Sequence, residues 1–292
     1  MNVSMKDLLK NGNYDNEFNK LKDVIIQEVP SSSVLSNKKW SEIKKKYKDR
    51  LRLISDSPKH PDYQSDCFLD YIICGREEKR RGREDSNCKT VEAYNNLIAY
   101  IQMDSIYGRY KHKIDEKIQK IFTIDIDPNQ KQTSFKNTLN ELNFLKFLLD
   151  CSIVEDISIE EKCLGSKYCD YVIRLKNSEK RIGLEIETVQ FFNAEKSKST
   201  EGIEKFLENR AEVKWNKKLA NLKEIPELDE FKIVLFVEDN PTMGKVAFPE
   251  QFNENMIVVS TECYYYKGWK LRVVDTLNHI KRLKKDENHF FI

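Results

Sequence analysis

The segment RIGLEIETVQ, residues 181–190, combines the apolar residues of a buried β-strand with two glutamates. Side chains along a strand alternate between its two faces, so Glu185 and Glu187 point to the same side. Leu184 and Ile186 point to the other side, which makes one face apolar and the other acidic. An edge strand with a solvated outer face is the simplest explanation, and the rest of the chain must decide whether the acidic face has a role.

The composition limits the class of protein. The chain has 292 residues, of which 39% are hydrophobic, enough for one large domain or two ordinary ones. No run of about 18 apolar residues occurs, and residues 1–20 are too polar for a signal peptide, so we expect a soluble, cytoplasmic protein with no membrane contact. Seven cysteines without a Cys-x-x-Cys pair and only four histidines argue against a zinc module and against a disulfide framework. Any metal would be held mainly by carboxylates, which favours Mg²⁺.

The periodicity of the chain changes near residue 129. Residues 1–128 have apolar positions at helical spacing and predict a mostly helical region, followed by a short strand within 122–132. Residues 129–292 mix both periodicities, which predicts an α/β fold with a mixed central sheet flanked by helices. The expected elements of this second part are a helix at 134–150, strands at 170–175 and 181–189, a helix at 203–222, strands at 231–237 and 256–260, and a helix at 269–285.

The two acidic strands are expected to form a hairpin. If the turn pairs Lys176 with Arg181, Asp170 falls directly opposite Glu187, and Glu185 is its diagonal neighbour. The three carboxylates would then lie within roughly 5 to 8 Å of one another. A slip of one residue would move Asp170 to the other face, so this inference depends on the turn.

A fourth carboxylate comes from the preceding helix, where Glu141 lies at the edge of the apolar stripe and is expected to face what the helix covers. Like charges packed this closely are unfavourable unless something neutralises them. A divalent cation would do so, and Mg²⁺ held by carboxylates, water and phosphate oxygens is typical of phosphoryl-transfer sites. The sequence therefore predicts a Mg²⁺ site, with Mn²⁺ as a possible substitute.

Three short motifs resemble those of the PD-(D/E)XK nuclease superfamily. NELNFLKF, CDYVIRL and GLEIET are similar to its helix glutamate, its first-strand aspartate and its Glu-x-Lys strand, over roughly residues 134–260. The resemblance implies a restriction-endonuclease-like core in which Asp170 and Glu185 are metal ligands and Glu141 is an auxiliary acid.

The chain departs from the superfamily at Glu187, which stands where a lysine is most common. A minority of type II restriction enzymes resembling this pattern use Glu-x-Glu, which implies that Glu187 positions or deprotonates the attacking water. The departure could instead mean that activity is lost. A third possibility is that Lys196, Lys198 or Lys214 supplies the missing ammonium group.

Basic residues are clustered, although the formal net charge is only +2. Phosphates attract cations and exposed bases stack on aromatic rings, so basic segments that contain tyrosine or tryptophan are candidate nucleic-acid contacts. Solvated helix faces are the alternative. The first set of candidates is Lys44, Lys45 and Lys46, which lie between Trp40 and Tyr47 in the sequence. The second set is Lys214, Lys217 and Lys218, on the helix after the acidic strand. Asp66 and Asp70 lack a third acidic partner and are expected on the surface.

These observations predict a metal-dependent endonuclease that hydrolyses DNA phosphodiester bonds. The resemblance implies a role in restriction or anti-phage defence, and two symmetric sites in a homodimer are the simplest means of cutting both strands. The first alternative is a catalytically inactive protein of the same fold that binds nucleic acid or a protein. The second is a helical interaction protein whose acidic strand is only solvated.

Overall fold

The computed structural model describes residues 13–55, 67–82, 86–124, 134–164, 167–176, 178–190, 200–219, 228–238, 256–261 and 271–274. The chain divides into two compact units, residues 1–142 and 143–292. The domain boundary predicted near residue 129 lies outside the described residues.

The described part of the first unit is helical, as the apolar spacing predicts. Asp104 separates the last two helices that lie wholly in this unit, because its carboxylate accepts a hydrogen bond from the backbone N–H of Ile106 at 2.8 Å and caps the second of them. No described helix is long and apolar enough to cross a lipid bilayer. The elements are α1 (Tyr14–Glu28), a 3₁₀ helix (Pro30–Val34), α2 (Asn37–Ser55), α3 (Phe68–Arg80), α4 (Ser86–Met103), α5 (Ser105–Ile121) and α6 (Ser134–Asp150), which continues into the second unit.

Aromatic rings form the centre of the first unit. Phe68 packs edge-on against Tyr94 and Phe122, with ring centroids 4.5 and 5.5 Å apart. Trp40 and Tyr47 are also buried, at 5% and 0% exposure, although the sequence suggested that they could stack on bases. That suggestion is wrong for these two residues, because the apolar side of α2 carries them into the core.

Asp70 is buried as well, and its expected surface position is wrong. The Tyr47 hydroxyl donates to Asp70 Oδ1 at 2.9 Å, and Arg50 donates to Oδ2 at 3.0 Å. Sequence spacing within α3 could not show these partners, because they come from α2. Asp66 lies outside the described residues.

The second unit contains a mixed sheet, which agrees with the predicted α/β class. Among the described residues the sheet has six strands in chain order, with β1 to β3 antiparallel, β3 to β5 parallel, and β6 antiparallel to β5. The elements are β1 (Val154–Leu164), β2 (Lys167–Leu175), β3 (Arg181–Gln190), α7 (Thr200–Leu219), β4 (Glu230–Glu238), β5 (Met256–Thr261) and β6 (Leu271–Val274).

Three features differ from what the sequence indicated, two in the second part and one at the end of the first. β1 was not expected as a strand. The helix predicted from residue 269 is wrong at its start, because β-branched Val273 and Val274 pair with β5 as a strand. The rest of that segment lies outside the described residues. Residues 122–124, the described part of the strand predicted at 122–132, form no strand.

Helices cover both faces of the sheet. Phe231 begins the buried run of β4 and shares a face with Gly183 of β3, where Trp215 of α7 packs on it with ring centroids 5.1 Å apart. On the opposite face Phe144 of α6 packs edge-on against Phe236 at 5.8 Å. The prediction that β4 is a central strand covered on both sides is confirmed, and α7 covers the acidic face of β3.

Candidate functional site

The pairing of β2 with β3 differs from the predicted hairpin. Arg174, rather than Lys176, faces Arg181, so the predicted register is wrong by two residues. Two hydrogen bonds explain the longer turn. The backbone N–H of Lys176 donates to the carbonyl of Ile153 at 2.8 Å, and the backbone N–H of Arg181 donates to the carboxylate of Asp229 at 2.7 Å.

The shift brings Asp170 to Glu185 rather than opposite Glu187. The β2–β3 ladder ends at the pair Tyr171 and Leu184. Beyond this pair, the Asp170 carboxylate takes the place of a backbone acceptor, because its Oδ2 accepts a hydrogen bond from the N–H of Ile186 at 2.7 Å. A shift of two residues preserves the side to which a side chain points, so the predicted meeting of the acids survives the error in register.

Glu185 is the buried member of this acidic group, with 4% of its side chain exposed. Burial raises the pKa of Glu185, because a carboxylate loses solvation in the interior, and the negative charge of Asp170 raises the pKa further. Lys218 and Lys214 act in the opposite direction without cancelling these effects. The acidic face of β3 is therefore an enclosed, charged site at this residue, and a solvated edge does not describe it.

Two lysines of α7 neutralise the acids. Lys214 Nζ lies 3.2 Å from Glu185 Oε1 and donates a hydrogen bond to Glu187 Oε2 at 2.9 Å. One helical turn later, Lys218 Nζ lies 2.7 Å from Glu185 Oε2. Burial alone would lower the pKa of Lys214, but the hydrogen bond to Glu187 and the charges of both glutamates raise it overall.

Lys214 is one of the three lysines that the sequence offered as a replacement for the one missing from β3. The other two, Lys196 and Lys198, lie outside the described residues. Lys214 and Lys218 were expected to be available for phosphate, but both ammonium groups contact carboxylates of β3. Lys217 lies between them on the exposed side of α7.

The end of α7 is fixed to the β1–β2 hairpin. Lys167 Nζ donates to the carbonyls of Lys217 and Lys218 at 2.6 and 3.0 Å, and Lys218 Nζ donates to the carbonyl of Tyr168 at 2.8 Å. An ammonium group satisfies terminal carbonyls and interacts favourably with the negative end of a helix dipole. These bonds hold the lysines over the acids. Sequence reasoning missed Lys167, because the hairpin that presents it was not predicted.

Glu141 forms an ion pair within the first unit. Its Oε2 lies 2.6 Å from Nζ of Lys117 on α5, and the Lys117 side chain is only 1% exposed. The edge of the helix therefore brings Glu141 to the buried ammonium group of Lys117. Its function as an auxiliary acid stays a prediction.

The basic residues of α2 differ in their surroundings. Lys44 pairs with Asp15 at 3.1 Å, and Lys46 pairs with Glu42 at 3.0 Å. Lys45 is exposed. Since two of the three ammonium groups already have acidic neighbours, Lys45 is the best candidate of this set for a phosphate contact.

The donor set can be compared with the needs of a divalent cation. Asp170, Glu185 and Glu187 bring three carboxylates and α7 brings two ammonium groups, so the acids remain in excess when all five groups are charged. Within the described residues, no three His, Cys, Asp or Glu side chains are arranged to hold a metal ion together. Mg²⁺ needs only one or two protein carboxylates, with water and phosphate oxygens as its other ligands. Asp170 and Glu185 would supply two such carboxylates, and Lys214 and Lys218, which contact the two oxygens of Glu185, would then have to give way to the cation.

No protein-family model matches the chain, and no curated protein matches it either. The resemblance to the PD-(D/E)XK superfamily therefore depends on its short motifs. It stays a prediction, and the function has to be argued from the site itself.

Proposed function

We propose that the protein is a metal-dependent endonuclease that hydrolyses phosphodiester bonds of DNA. The observation that carries this proposal is the contact of Lys214 with both Glu185 and Glu187, beside Asp170. Two acids and an ammonium group are the groups that the resembled superfamily brings together from its first-strand aspartate and its Glu-x-Lys strand. In this chain the lysine comes from α7.

Each residue of the site has a distinct part in the proposal. Asp170 and Glu185 hold Mg²⁺, which supplies positive charge that polarises the scissile phosphate. Glu187, with 27% of its side chain exposed, takes a proton from the attacking water as a general base. Lys214 orients Glu187 through their 2.9 Å hydrogen bond. When phosphate enters the site, Lys214 can also donate to its oxygens.

DNA as the substrate is supported by the basic segments, and Lys45 is their most available member on α2. A homodimer with two symmetric sites is the simplest arrangement for cutting both strands. Restriction or another defence against foreign DNA is the role that the superfamily resemblance implies.

Cleavage of plasmid and phage DNA in Mg²⁺ or Mn²⁺ tests the proposal. We expect the wild type to cleave DNA and Asp170→Asn to lose at least about 100-fold in rate, since a bound cation lowers the activation free energy by several kcal/mol. Glu155→Gln is the matched control, because Glu155 is a carboxylate of β1 with half of its side chain exposed. The same products at the same rate from wild type and Asp170→Asn would contradict a catalytic site.

A second experiment tests the origin of the lysine. Lys214→Met should lose cleavage, and the double variant that combines Lys214→Met with Glu187→Lys should recover part of it, because it returns an ammonium group to the strand. Lys217→Met, a change on the exposed side of the same helix, should cleave like the wild type. Failure of the double variant to exceed Lys214→Met would argue against this function for Lys214.

The second candidate is a catalytically inactive protein of the same fold that binds nucleic acid or a protein. It is favoured by the two lysines of α7, which already neutralise most of the acidic charge without a metal ion. Under this candidate the wild type binds DNA or a protein partner without cutting DNA. Any binding would then be unchanged in Asp170→Asn and independent of Mg²⁺.

A further inference from the structure

Two cysteines meet across the β1–β2 hairpin. The sulfur atoms of Cys163 and Cys169 lie 2.8 Å apart, and both side chains are fully buried. A covalent bond between two sulfur atoms is about 2.0 Å long. Both cysteines are free thiols. Only a small approach of the two sulfur atoms therefore separates the present contact from a disulfide bond.

Strand irregularity and close packing hold the two thiols together. Glu161 pairs with Cys169, but the register shifts before Leu164 pairs with Lys167, so Cys163 lies in a bulge of β1. On the other side, Cys169 Sγ occupies space next to Gly183, where an added Cβ would lie only 3.0 Å from it. The absence of a side chain at Gly183 therefore leaves the space in which the Cys169 thiol packs, against β3 and beside Cys163.

We propose that Cys163 and Cys169 form an oxidative modification site, at which hydrogen peroxide converts the two thiols to an intramolecular disulfide. Hydrogen peroxide is small and uncharged, so it can reach two buried thiols more easily than a bulky disulfide-containing oxidant can. This inference is independent of the proposed nuclease activity.

The reaction takes place in two balanced steps. The thiolate of Cys163 attacks one oxygen of the peroxide, so that an S–O bond forms, the O–O bond breaks and hydroxide leaves. The Cys163 sulfur is oxidised to a sulfenic acid, and the peroxide is reduced. The sulfur of Cys169 then attacks that of Cys163, which forms the S–S bond and releases the hydroxyl group. With the two thiol protons, both hydroxide ions leave as water.

The surroundings of Cys163 suit it for the first step. A hydrogen bond with Cys169 lowers the pKa of Cys163 in spite of its burial, and the positive charge of Arg181 acts in the same direction. Arg181 also forms an ion pair with Glu161, whose negative charge raises the pKa of Cys163 by more than Arg181 lowers it, so the contact with Cys169 is what makes the pKa low. A thiolate is the reactive form of cysteine, so Cys163 is assigned as the attacking thiol.

Peptide mapping of the wild-type protein tests the site. Lys167 lies between the two cysteines, so trypsin releases Cys163 in peptide 163–167 and Cys169 in peptide 168–174. After peroxide treatment and alkylation of the remaining thiols, we expect these two peptides to be joined, lighter by two hydrogen atoms, and separated again by a reductant.

Cys74 and Cys151 are internal controls, because they are less buried than the pair. The joined peptide should form at peroxide doses that leave these two cysteines alkylatable. Oxidation of Cys74 or Cys151 without the joined peptide would overturn the proposal. So would a disulfide that joins Cys163 or Cys169 to a different cysteine.

Single variants test the order of attack. In Cys169→Ser, Cys163 has no resolving partner and should be trapped as a sulfenic acid by dimedone. In Cys163→Ser, Cys169 should remain unlabelled at the same dose. Labelling of Cys169 alone would overturn the assignment of Cys163 as the attacking thiol. If either variant does not fold, the wild-type map still decides whether the disulfide forms.

Discussion

Asp70 and Glu185 are both buried carboxylates, but their surroundings differ in charge balance. In the Asp70 cluster, which consists of Asp70, Arg50 and Tyr47, one acid meets one base and a hydroxyl group. The Arg50 and Asp70 side chains are 3% and 0% exposed. In the Glu185 cluster, three acids (Asp170, Glu185 and Glu187) meet two lysines of α7, Lys214 and Lys218. Those lysines are 22% and 21% exposed.

The difference indicates which cluster can accept a ligand. A balanced pair that is shut off from solvent has no charge left to offer, so the Asp70 cluster is best explained as part of the core of the first unit. The Glu185 cluster has an excess of acid and lies partly open to solvent. A cation could therefore add to it, and the lysines could turn toward an incoming phosphate. Burial of a carboxylate alone does not distinguish the two cases.

Removal of the base from the Asp70 cluster should have the largest effect on stability. Arg50→Met leaves the Asp70 charge buried without its cation, and breaking a buried pair in this way costs about 3 to 5 kcal/mol. Urea unfolding measures the loss. Arg52→Met is the control on the same helix, because the Arg52 side chain is 60% exposed, and its effect should stay within about 0.5 kcal/mol. Equal effects from both variants would remove the basis for treating the Asp70 cluster as structural.

Mg²⁺ should stabilise the protein through the Glu185 cluster alone. A ligand that binds only the folded state stabilises it by about 2.7 kcal/mol at 100 times its dissociation constant. We expect thermal unfolding of the wild type to shift upward with Mg²⁺, and that of Asp170→Asn to stay unchanged. Tyr47→Phe, which alters only the Asp70 cluster, should respond to Mg²⁺ like the wild type. A shift that survives in Asp170→Asn would place the cation elsewhere.

The pH dependence of stability should reveal the raised pKa of Glu185. Between the ordinary value of 4.5 and the raised value, the folded state keeps a proton that the unfolded state has released. Stability is therefore lost as the pH rises through this range. Glu185→Gln cannot ionise, so the wild type should lose free energy of unfolding relative to this variant. Asp170→Asn removes one cause of the raised pKa of Glu185, so it should reduce this loss of stability. Parallel curves of unfolding free energy against pH for the wild type and Glu185→Gln would contradict a raised pKa of Glu185.

The sequence predicted most of the sheet, because its inner strands carry strong signals. The apolar run at 233–237 in β4 and the alternation in β3 both appear as predicted. β1 was missed because charged residues surround its short alternation of Ile157 and Ile159. The start of β6 was taken as helix because its pairing with β5 depends on contacts between segments distant in the chain, which local periodicity does not contain.

The candidate site was predicted only in part, for a related reason. Alternation along β3 and the identity of the acids were enough to bring Asp170 to Glu185, although the turn was misjudged. The turn length depends on Asp229, which binds the backbone of Arg181 from a distant part of the chain. The two lysines of α7 neutralise acids that the sequence led us to assign to a metal ion. Their contact with β3 follows from the packing of α7 on the sheet. The sequence did not predict this packing, because α7 carries many charged residues.

An exposed charge outside both clusters provides the baseline for this comparison and should have the smallest effect on folding. Lys45→Ala should change the free energy of unfolding by no more than about 0.5 kcal/mol, because the side chain is exposed. If Lys45 contacts a DNA phosphate, the slope of log affinity against log salt should be less steep by about 0.9 in Lys45→Ala, because one phosphate contact is lost. Salt titrations of DNA binding measure this slope. An unchanged slope together with unchanged stability would assign Lys45 to a solvated helix face, and the DNA contacts of the proposed nuclease would then have to come from other basic residues.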